Sequence, residues 1–364
     1  MKIKSELFIF KQDSFQKKID QIKKIFHSSQ YKFQLAYSIK ANYHEKVLEL
    51  AQKNKLIFDC ASLDELKRLQ KMNIPSDTIW VNTPYLTEGF LSSILEQNIF
   101  VFADNFQQLE DIERKTSPKD TRAVGLRICL NTVHSRFGIV ATEQNIEKIH
   151  SFFKTHTHLE LKALNIHYSL RDRSITQFQK RIQEFIEIYS SHFRQYNIET
   201  LNFGGGFVSS MSKKMAAQFD YEIPNWDDYA NTLKQELHKS NIPHVNIVIE
   251  PGMGLVADAF DYEAEVVHIK NQGSTYYALL NTSVLFLKPT GHSKALDFEV
   301  KTTSPNSKNR KDYVFVGISC MENDVLGSYN GALEIGTKVL FKNVGAYTLS
   351  YRDSFIFNSP KVVS

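Results

Sequence analysis

The chain has 364 residues, of which 42% are hydrophobic and 23% charged, and its net charge is +4. This length and composition predict a globular protein with a large core and two domains. The small net charge, with no basic stretch interleaved with aromatic residues, argues against a nucleic-acid partner. No apolar run of 18 residues and no signal-peptide pattern is present, so no membrane-spanning helix is expected. The three cysteines are widely spaced, predict neither zinc site nor disulfide framework, and favour a reducing cytoplasm.

Short apolar segments alternate with amphipathic segments between residues 13 and 255. Helix starts are marked by Ser62, which opens a capping-box pattern, and by Asn105. Alternating strands and helices predict a parallel sheet with right-handed crossovers, and eight such units predict a (β/α)8 barrel. The eight strand candidates are 33–39, 57–60, 78–81, 99–103, 124–129, 161–167, 200–203 and 245–249.

The helical pattern fades after residue 256. Turn residues there separate further strand candidates, at 260–269, 274–280, 297–301, 313–316, 338–341 and 355–357. We therefore predict an α/β chain with a barrel at 13–255 and a C-terminal all-β domain at 256–364. The early strand candidate 6–10, within residues 1–12, is expected to join the β domain.

Several residues that could bind or react with a ligand lie at or just after the carboxyl ends of the barrel strands, where the active sites of such barrels are found. They are Lys40, Asp59, Arg127, His167, Gly204 and Glu250. Lys40 lies in the segment YSIKAN at 37–42, near the end of a stretch that reads as a buried strand. Burial would lower the pKa of this lysine, and a neutral amine forms a Schiff base with an aldehyde. The alternative is a surface lysine just past a strand.

Three further features complete a candidate site. The glycines 204–206 offer backbone amides to a phosphate, although a triple glycine is often only a turn. Glu250 could be a surface group, a metal ligand or the partner of a cationic ring nitrogen; no second ligand stands in metal spacing, so no metal is expected. His167 could be a core histidine or a plate stacked on a planar cofactor. An amine, a phosphate cradle, a carboxylate and an aromatic plate match the needs of pyridoxal 5′-phosphate (PLP).

The motifs, taken in order, resemble those of the barrel-type PLP decarboxylases, which include the diaminopimelate, ornithine/arginine and carboxynorspermidine enzymes. The resemblance covers nearly the whole chain. It is carried by YSIKAN (37–42), DCASLDEL (59–66), LRI (126–128), SRFGI (135–139), NIHY (165–168), GGGF (204–207), EPG (250–252), GISCMENDVL (317–326) and VGAY (344–347).

This resemblance implies a role for each matching residue. Lys40 would carry PLP as a Schiff base, His167 would stack on the ring, and Glu250 would pair with the ring nitrogen. The active sites would be shared across a homodimer, with Cys320 of the partner chain protonating the carbanion left after decarboxylation. The remaining cofactor contacts would come from Asp59, Arg127, Ser169, Gly204, Gly205, Gly206 and Tyr347, and the substrate contacts from Lys288, His292, Glu322 and Asp324.

Several positions depart from the family pattern. Met253 follows EPG where diaminopimelate and ornithine decarboxylases usually have arginine, and Met321 stands where they have an acid that reads a distal amine. His167 is followed by YSL rather than xGS, which makes Ser169 the substitute phosphate ligand. Lys288 precedes Pro289 where an arginine would hold a distal carboxylate. We therefore expect a specialised substrate, a larger amino acid with a neutral or anionic substituent.

Two other functions remain open on the sequence. A PLP racemase would need two opposed acid/base groups, and the motif around Cys320 argues against it. A catalytically inactive homologue that binds a protein partner would not need Lys40, Glu250 and Cys320. A buried Cys320 could also be an inert core residue. The sequence favours decarboxylation.

Overall fold

A computed structural model of the chain describes residues 7–28, 30–167, 171–242, 245–288, 294–301, 310–351 and 361–363. These residues form two sheets, one of nine strands and one of eight. None of the described helices combines the length and apolar character needed to cross a membrane.

The first sheet is a closed parallel barrel, as the sequence predicted. Its strands run in the order β5-β4-β3-β2-β10-β9-β8-β6, and a further pairing of β5 with β6 closes the ring. The short strand β7 (Ile139–Val140) adds to β6 outside the ring. All eight strand candidates lie in the barrel, as β2 (Lys32–Ser38), β3 (Ile57–Cys60), β4 (Ile79–Asn82), β5 (Phe100–Ala103), β6 (Arg122–Cys129), β8 (Leu159–Asn165), β9 (Thr200–Asn202) and β10 (Asn246–Ile249).

Helices connect the strands and bury one apolar face against them. Many begin at a capping side chain that accepts an amide of the first turn, including Ser62 as predicted, and Asn105. The helices are α1 (Gln12–Phe26), α2 (Glu45–Lys53), α3 (Leu63–Lys71), α4 (Glu88–Glu96), α5 (Phe106–Lys115), α6 (Glu143–Thr155), α7 (Ile175–Ile188), α8 (Lys213–Ala216), α9 (Trp226–Lys239), α10 (Gly252–Val256), α11 (Val284–Leu287) and α12 (Thr348–Tyr351).

The second sheet is mostly antiparallel and is built around one long strand, β11. The first half of β11 pairs with β1 and β16, and its second half pairs with β12. The predicted early strand is present as β1, and Phe10 of β1 stacks on Phe260 with ring centroids 4.7 Å apart. The strands are β1 (Leu7–Phe10), β11 (Phe260–Gln272), β12 (Thr275–Leu280), β13 (Phe298–Lys301), β14 (Lys311–Val316), β15 (Val325–Gly331), β16 (Lys338–Phe341) and β17 (Lys361–Val363).

Two strands of this sheet were not predicted. The sequence of β15, VLGSYNG, contains glycine, serine and asparagine, which hide a strand from pattern reasoning. It forms because β14 supplies an antiparallel partner along its length. The other is the three-residue β17, which pairs with β1. The strand predicted at 355–357 lies outside the described residues.

Candidate active site

Polar side chains form a hydrogen-bonded layer inside the barrel at the carboxyl ends of its strands. Below it, the barrel is filled by a small apolar cluster of Ala36, Ile57 and Val248. Side chains alternate along a strand, so the residue two positions later points into the same space. Ser38, Asp59 and Glu250 therefore stand directly above these three apolar residues. All three polar residues are buried.

Lys40 lies in a short 3₁₀ turn (Ile39–Ala41) immediately after β2, and Asp59 holds its amine. Lys40 Nζ donates to Asp59 Oδ2 at 2.8 Å, and Ser38 Oγ donates to the same oxygen at 2.8 Å. The lysine side chain is 36% exposed, whereas that of Asp59 is 4% exposed. The cation thus sits at the mouth of the barrel on a buried carboxylate.

The sequence-based expectation of a lowered pKa for Lys40 is wrong. Burial does lower the pKa, but the negative charges of Asp59 and Glu250 and the hydrogen bond to Asp59 outweigh burial and raise it above its ordinary value. Asp59 shows the reverse balance: burial raises the pKa of its carboxyl, and the charge and hydrogen bond of Lys40 lower it further than burial raises it. Lys40 is therefore a cation at neutral pH.

Glu250 follows β10 and is held by two asparagines on neighbouring strands. Asn165 Nδ2 donates to Glu250 Oε1 at 3.2 Å, and Asn202 Nδ2 donates to the same oxygen at 2.6 Å. Asn82 Nδ2 in turn donates to Asn165 Oδ1 at 2.9 Å. The two amides fix the carboxylate through Oε1, which leaves Oε2 for a different partner.

His167 makes an edge contact with that second oxygen. Its Nδ1 lies 2.8 Å from Glu250 Oε2, and the Gly205 amide lies 3.2 Å from the same nitrogen. One ring nitrogen cannot donate to the carboxylate and accept from the amide at once, so the two contacts compete. Burial lowers the pKa of His167 more than the Glu250 charge raises it. The imidazole is therefore neutral at pH 7.

Arg127 lies below His167 and is buried with its partner Asp104. Its Nη1 donates to Asp104 Oδ1 at 3.2 Å, and its Nη2 donates to the carbonyl of His167 at 2.6 Å. The Gly138 amide also donates to Asp104 Oδ1, at 3.1 Å. Arg127 thus holds the backbone that carries the histidine.

The glycine segment 204–206 turns sharply at the end of β9. Gly204 has a φ of +65°, and a Cβ there would lie 2.0 Å from the carbonyl oxygen of Ile166, so only glycine fits. The Glu250 amide donates to the Gly204 carbonyl at 2.8 Å, which links this turn to the carboxylate. The turn and Glu250 therefore belong to one rigid unit.

The segment 344–347 brings the predicted tyrosine against the lysine. The Tyr347 amide donates to the carbonyl of Ala41 at 2.7 Å, and Asn42 Nδ2 donates to the carbonyl of Gly345 at 2.8 Å. Tyr347 has a φ of +60°, a left-handed conformation that is unusual for a bulky residue and is often found at functional sites. Burial raises the pKa of its phenol.

A second group of predicted residues lies on the loop between β14 and β15. Cys320 and Glu322 are exposed, whereas Asp324 is buried. Asp324 Oδ1 accepts the Val284 amide at 2.7 Å, and its Oδ2 accepts the Ser319 amide at 3.1 Å. Asp324 thus ties the cysteine loop to the start of α11, the helix that ends at Lys288.

The two groups are separate within one chain. Among the described residues, no hydrogen bond or ion pair joins Cys320, Glu322 or Lys288 to Lys40, Glu250 or His167. The helix α11 does pack against α12, which follows Tyr347. Burial lowers the pKa of Lys288. Ser169 and His292 lie outside the described residues.

Sequence reasoning missed the residues that hold the predicted ones. Asn165 and Asn202 each stand two positions before a predicted site residue, His167 and Gly204, on the same strand. Strand alternation alone could have found them, since a polar residue two positions before a functional one shares its face. Asp104, the partner of Arg127, directly follows β5, so its place just after a strand end could have pointed to it as well.

Comparisons with known proteins agree with this geometry. Residues 12–257 match the family described as pyridoxal-dependent decarboxylase, pyridoxal binding domain. The chain belongs to this family. Its cofactor is therefore PLP, and it is a decarboxylase of the kind that acts through this cofactor.

Individual relatives are distant. Ornithine decarboxylase of Saccharomyces cerevisiae is 23% identical over 354 residues, covering 88% of this chain and 72% of the yeast protein. The Staphylococcus aureus 2-[(L-alanin-3-ylcarbamoyl)methyl]-2-hydroxybutanedioate decarboxylase is 22% identical over 360 residues, covering 91% of this chain and 87% of that protein. Diaminopimelate decarboxylase of M. jannaschii, solved with L-lysine, superposes with a TM-score of 0.86 at 20% identity, covering 98% of this chain and 86% of that one. The last likeness shows the fold alone.

The residues at the barrel mouth fit PLP. An amine stands at Lys40, a carboxylate with one fixed oxygen stands at Glu250, and a cleft is lined by Gly206 together with two arginines, Arg173 and Arg181. These three groups suit, respectively, the aldehyde, the ring nitrogen and the phosphate of the cofactor.

Proposed function

We propose that this decarboxylase holds PLP through Lys40 and acts on a larger amino acid that bears a neutral or anionic substituent. The observation that carries the proposal is the anchoring of Glu250: two asparagine amides hold Oε1, so Oε2, which lies 2.8 Å from His167 Nδ1, is the oxygen left to pair with a cofactor ring nitrogen. A carboxylate fixed in this way can keep a pyridine nitrogen protonated without reorganising.

When bound, PLP supplies the electron sink for the pair released from the bond between the substrate Cα and its carboxylate carbon. The chain's own residues prepare that event. Lys40 would hold the cofactor through its aldehyde, and Asp59 would keep the lysine amine in place whenever that amine is free. Glu250 would keep a proton on the ring nitrogen and His167 would lie against the ring, while Arg127 fixes the His167 backbone.

The proton that replaces CO2 on the substrate Cα comes, in this proposal, from Cys320 of the partner chain. The exposure of Cys320 in the single chain supports this role, since an exposed thiol can reach a neighbouring subunit's site. The thiol gives its proton to Cα and recovers one from solvent. A homodimer with shared sites follows from this assignment.

One departure from the family pattern supports the choice of substrate. Met321 stands where the diaminopimelate and ornithine enzymes carry an acid, and an apolar side chain leaves a distal substrate amine unpaired at a cost of about 1–3 kcal/mol or more. Lys288 remains as a cation near the loop that carries Cys320. The S. aureus relative, whose named substrate carries a hydroxybutanedioate group, agrees with an anionic substituent.

The decisive experiment measures CO2 release from a panel of amino acids. We expect little release from meso-diaminopimelate, ornithine or lysine, and more from larger amino acids with amide-linked or carboxylate substituents. Lys288→Ala should raise KM for the best substrate more than it lowers kcat, the sign of lost uniform binding. Efficient turnover of diaminopimelate or ornithine would refute the substrate assignment.

The covalent role of Lys40 has its own test. Borohydride reduction of the protein loaded with PLP, followed by peptide mapping, should place the cofactor on Lys40. An adduct on another lysine would contradict the proposal.

We also propose that the chain divides into a barrel domain at residues 13–255 and a β domain at 256–364 that includes residues 1–12. We further propose a cytoplasmic location, which the three unpaired cysteines support.

A further inference from the structure

Met253 leaves the position after EPG without a positive charge, but a guanidinium reaches that position from elsewhere in the chain. Arg173 Nη1 donates to Met253 Sδ at 3.4 Å, although the two residues are 80 positions apart. Arg173 lies just before α7, and Met253 lies in the first turn of α10. A thioether is a weak acceptor, so an anion competes well for this donor.

The same guanidinium lines the cleft that reaches Gly206. Arg181 shares this cleft, and its Nη1 donates to the carbonyl of Gly205 at 2.8 Å, which fixes the glycine turn. Asp172 is the acid of the lining, and its Oδ1 accepts the Ser174 amide at 2.8 Å. Two guanidinium groups against one carboxylate give the cleft a net positive charge beside the glycine amides.

The charge of Arg173 also acts on a residue at the mouth of the barrel. The positive charges of Lys40 and Arg173 both oppose the rise that burial causes in the pKa of Tyr347. The charge of Arg173 therefore acts on Tyr347 as well as beside the glycine turn.

We propose that Arg173 binds the phosphate of PLP and takes over the charge that is absent at Met253. This inference rests on the proposed function and adds a residue that the family motifs do not contain. Arg173 is thus proposed as a cofactor-binding residue that acts through affinity for the phosphate.

The test compares PLP with pyridoxal, which lacks the phosphate, by titrating the apoprotein and recording the visible chromophore. Arg173→Gln should weaken PLP binding about tenfold to a hundredfold, as expected for lost charge-assisted hydrogen bonds, and change pyridoxal binding less than twofold. Arg171→Gln is the matched control, because Arg171 is an exposed arginine two positions away, and it should change neither affinity more than twofold. Adding Met253→Arg to Arg173→Gln should restore much of the preference for PLP.

The preference for PLP over pyridoxal is the quantity that decides. An unchanged preference in Arg173→Gln, with both affinities intact or both weakened together, would overturn the role of Arg173 even if the wild-type protein binds PLP normally. A variant that is merely less stable would lose both ligands equally, so the ratio separates misfolding from a lost phosphate contact. A wild-type protein that forms no chromophore with PLP would instead refute the proposed function, and the inference with it.

Discussion

Lys40 shows how neighbouring carboxylates can reverse the direction in which burial shifts a pKa. Burial alone favours a neutral amine, but Asp59 accepts a 2.8 Å hydrogen bond from Lys40, and Glu250 adds a second negative charge. The raised pKa keeps the amine charged across the neutral range. Covalent capture of an aldehyde needs the neutral amine, so the apoprotein must lose a proton from Lys40 before it binds PLP covalently.

Asp59→Asn tests this balance through pH. In the wild-type protein the rate of chromophore formation with PLP should rise with pH, by about tenfold per unit below the raised pKa, because the neutral fraction rises. Removing the Asp59 charge leaves the lowering effect of burial, so the profile should move to lower pH. Stopped-flow absorbance from pH 6 to 9 measures the shift, and a profile that moves to higher pH would contradict the proposed balance.

Glu250 provides the second prediction at this scale. Glu250→Gln keeps the size and an acceptor oxygen for Asn165 and Asn202 but removes the charge opposite the ring nitrogen. We expect kcat to fall by on the order of a hundredfold with little change in KM, because the charge acts on the reacting state. Glu110→Gln, at an exposed position on α5, is the control and should leave both constants unchanged. Equal losses in the two variants would remove Glu250 from the mechanism.

At the scale of elements, close packing of three segments builds the mouth of the barrel. The turn of Lys40, the helix α10 and the segment 344–347 meet with almost no intervening space. A Cβ on Gly252 would lie 3.1 Å from Ser38 Cβ, and a Cβ on Gly345 would lie 1.9 Å from the carbonyl oxygen of Val256. Together with the hydrogen bond from the Tyr347 amide to the Ala41 carbonyl, these contacts hold Tyr347 beside the turn that carries Lys40.

Gly345→Ala should therefore disturb both stability and the site. The added methyl group overlaps a backbone oxygen, which cannot move aside as a side chain can, so the free energy of unfolding should fall by about 1–3 kcal/mol or more. Gly89→Ala is the matched control, since nothing lies within 4 Å of a Cβ there, and it should leave stability unchanged or slightly raised. Urea unfolding of both variants makes the comparison, and equal stabilities would show that the contact relaxes freely.

At the scale of the whole molecule, the predicted residues fall into two groups. One group surrounds Lys40 at the barrel mouth. The other lies on the loop of Cys320, which Asp324 ties to α11 in the second sheet's domain. If the second group serves the neighbouring subunit, neither group is sufficient without a second chain.

Mixing two inactive variants tests this arrangement. Lys40→Ala and Cys320→Ala homodimers should each be nearly inactive. After equal amounts exchange subunits, half of the dimers are mixed, and each mixed dimer has one site with both residues intact, so about a quarter of wild-type activity should return. If both residues serve the same chain's site, no mixed site is intact, and activity stays absent even with heterodimers present. Mixing Lys40→Ala with itself gives the baseline.

The sequence by itself determined the barrel and supplied the candidate residues at its mouth. The eight strands follow from apolar segments with a regular spacing, and the motifs at their ends mark Lys40, His167, Gly204 and Glu250, because in a parallel barrel all strand ends meet at one face. These are local signals. They do not depend on which distant residue each side chain finally meets.

Only the tertiary structure decided how those residues are held and charged. Asn165 and Asn202 hold the carboxylate of Glu250. Asp59 helps to raise the pKa of Lys40, which burial alone would lower. Arg173 contacts Met253, which is 80 positions away in the chain. Hydrogen bonds and charges act over a few ångströms in space, and the closing of the barrel chooses which residues come that close. The sequence lists the partners, but it does not state their distances.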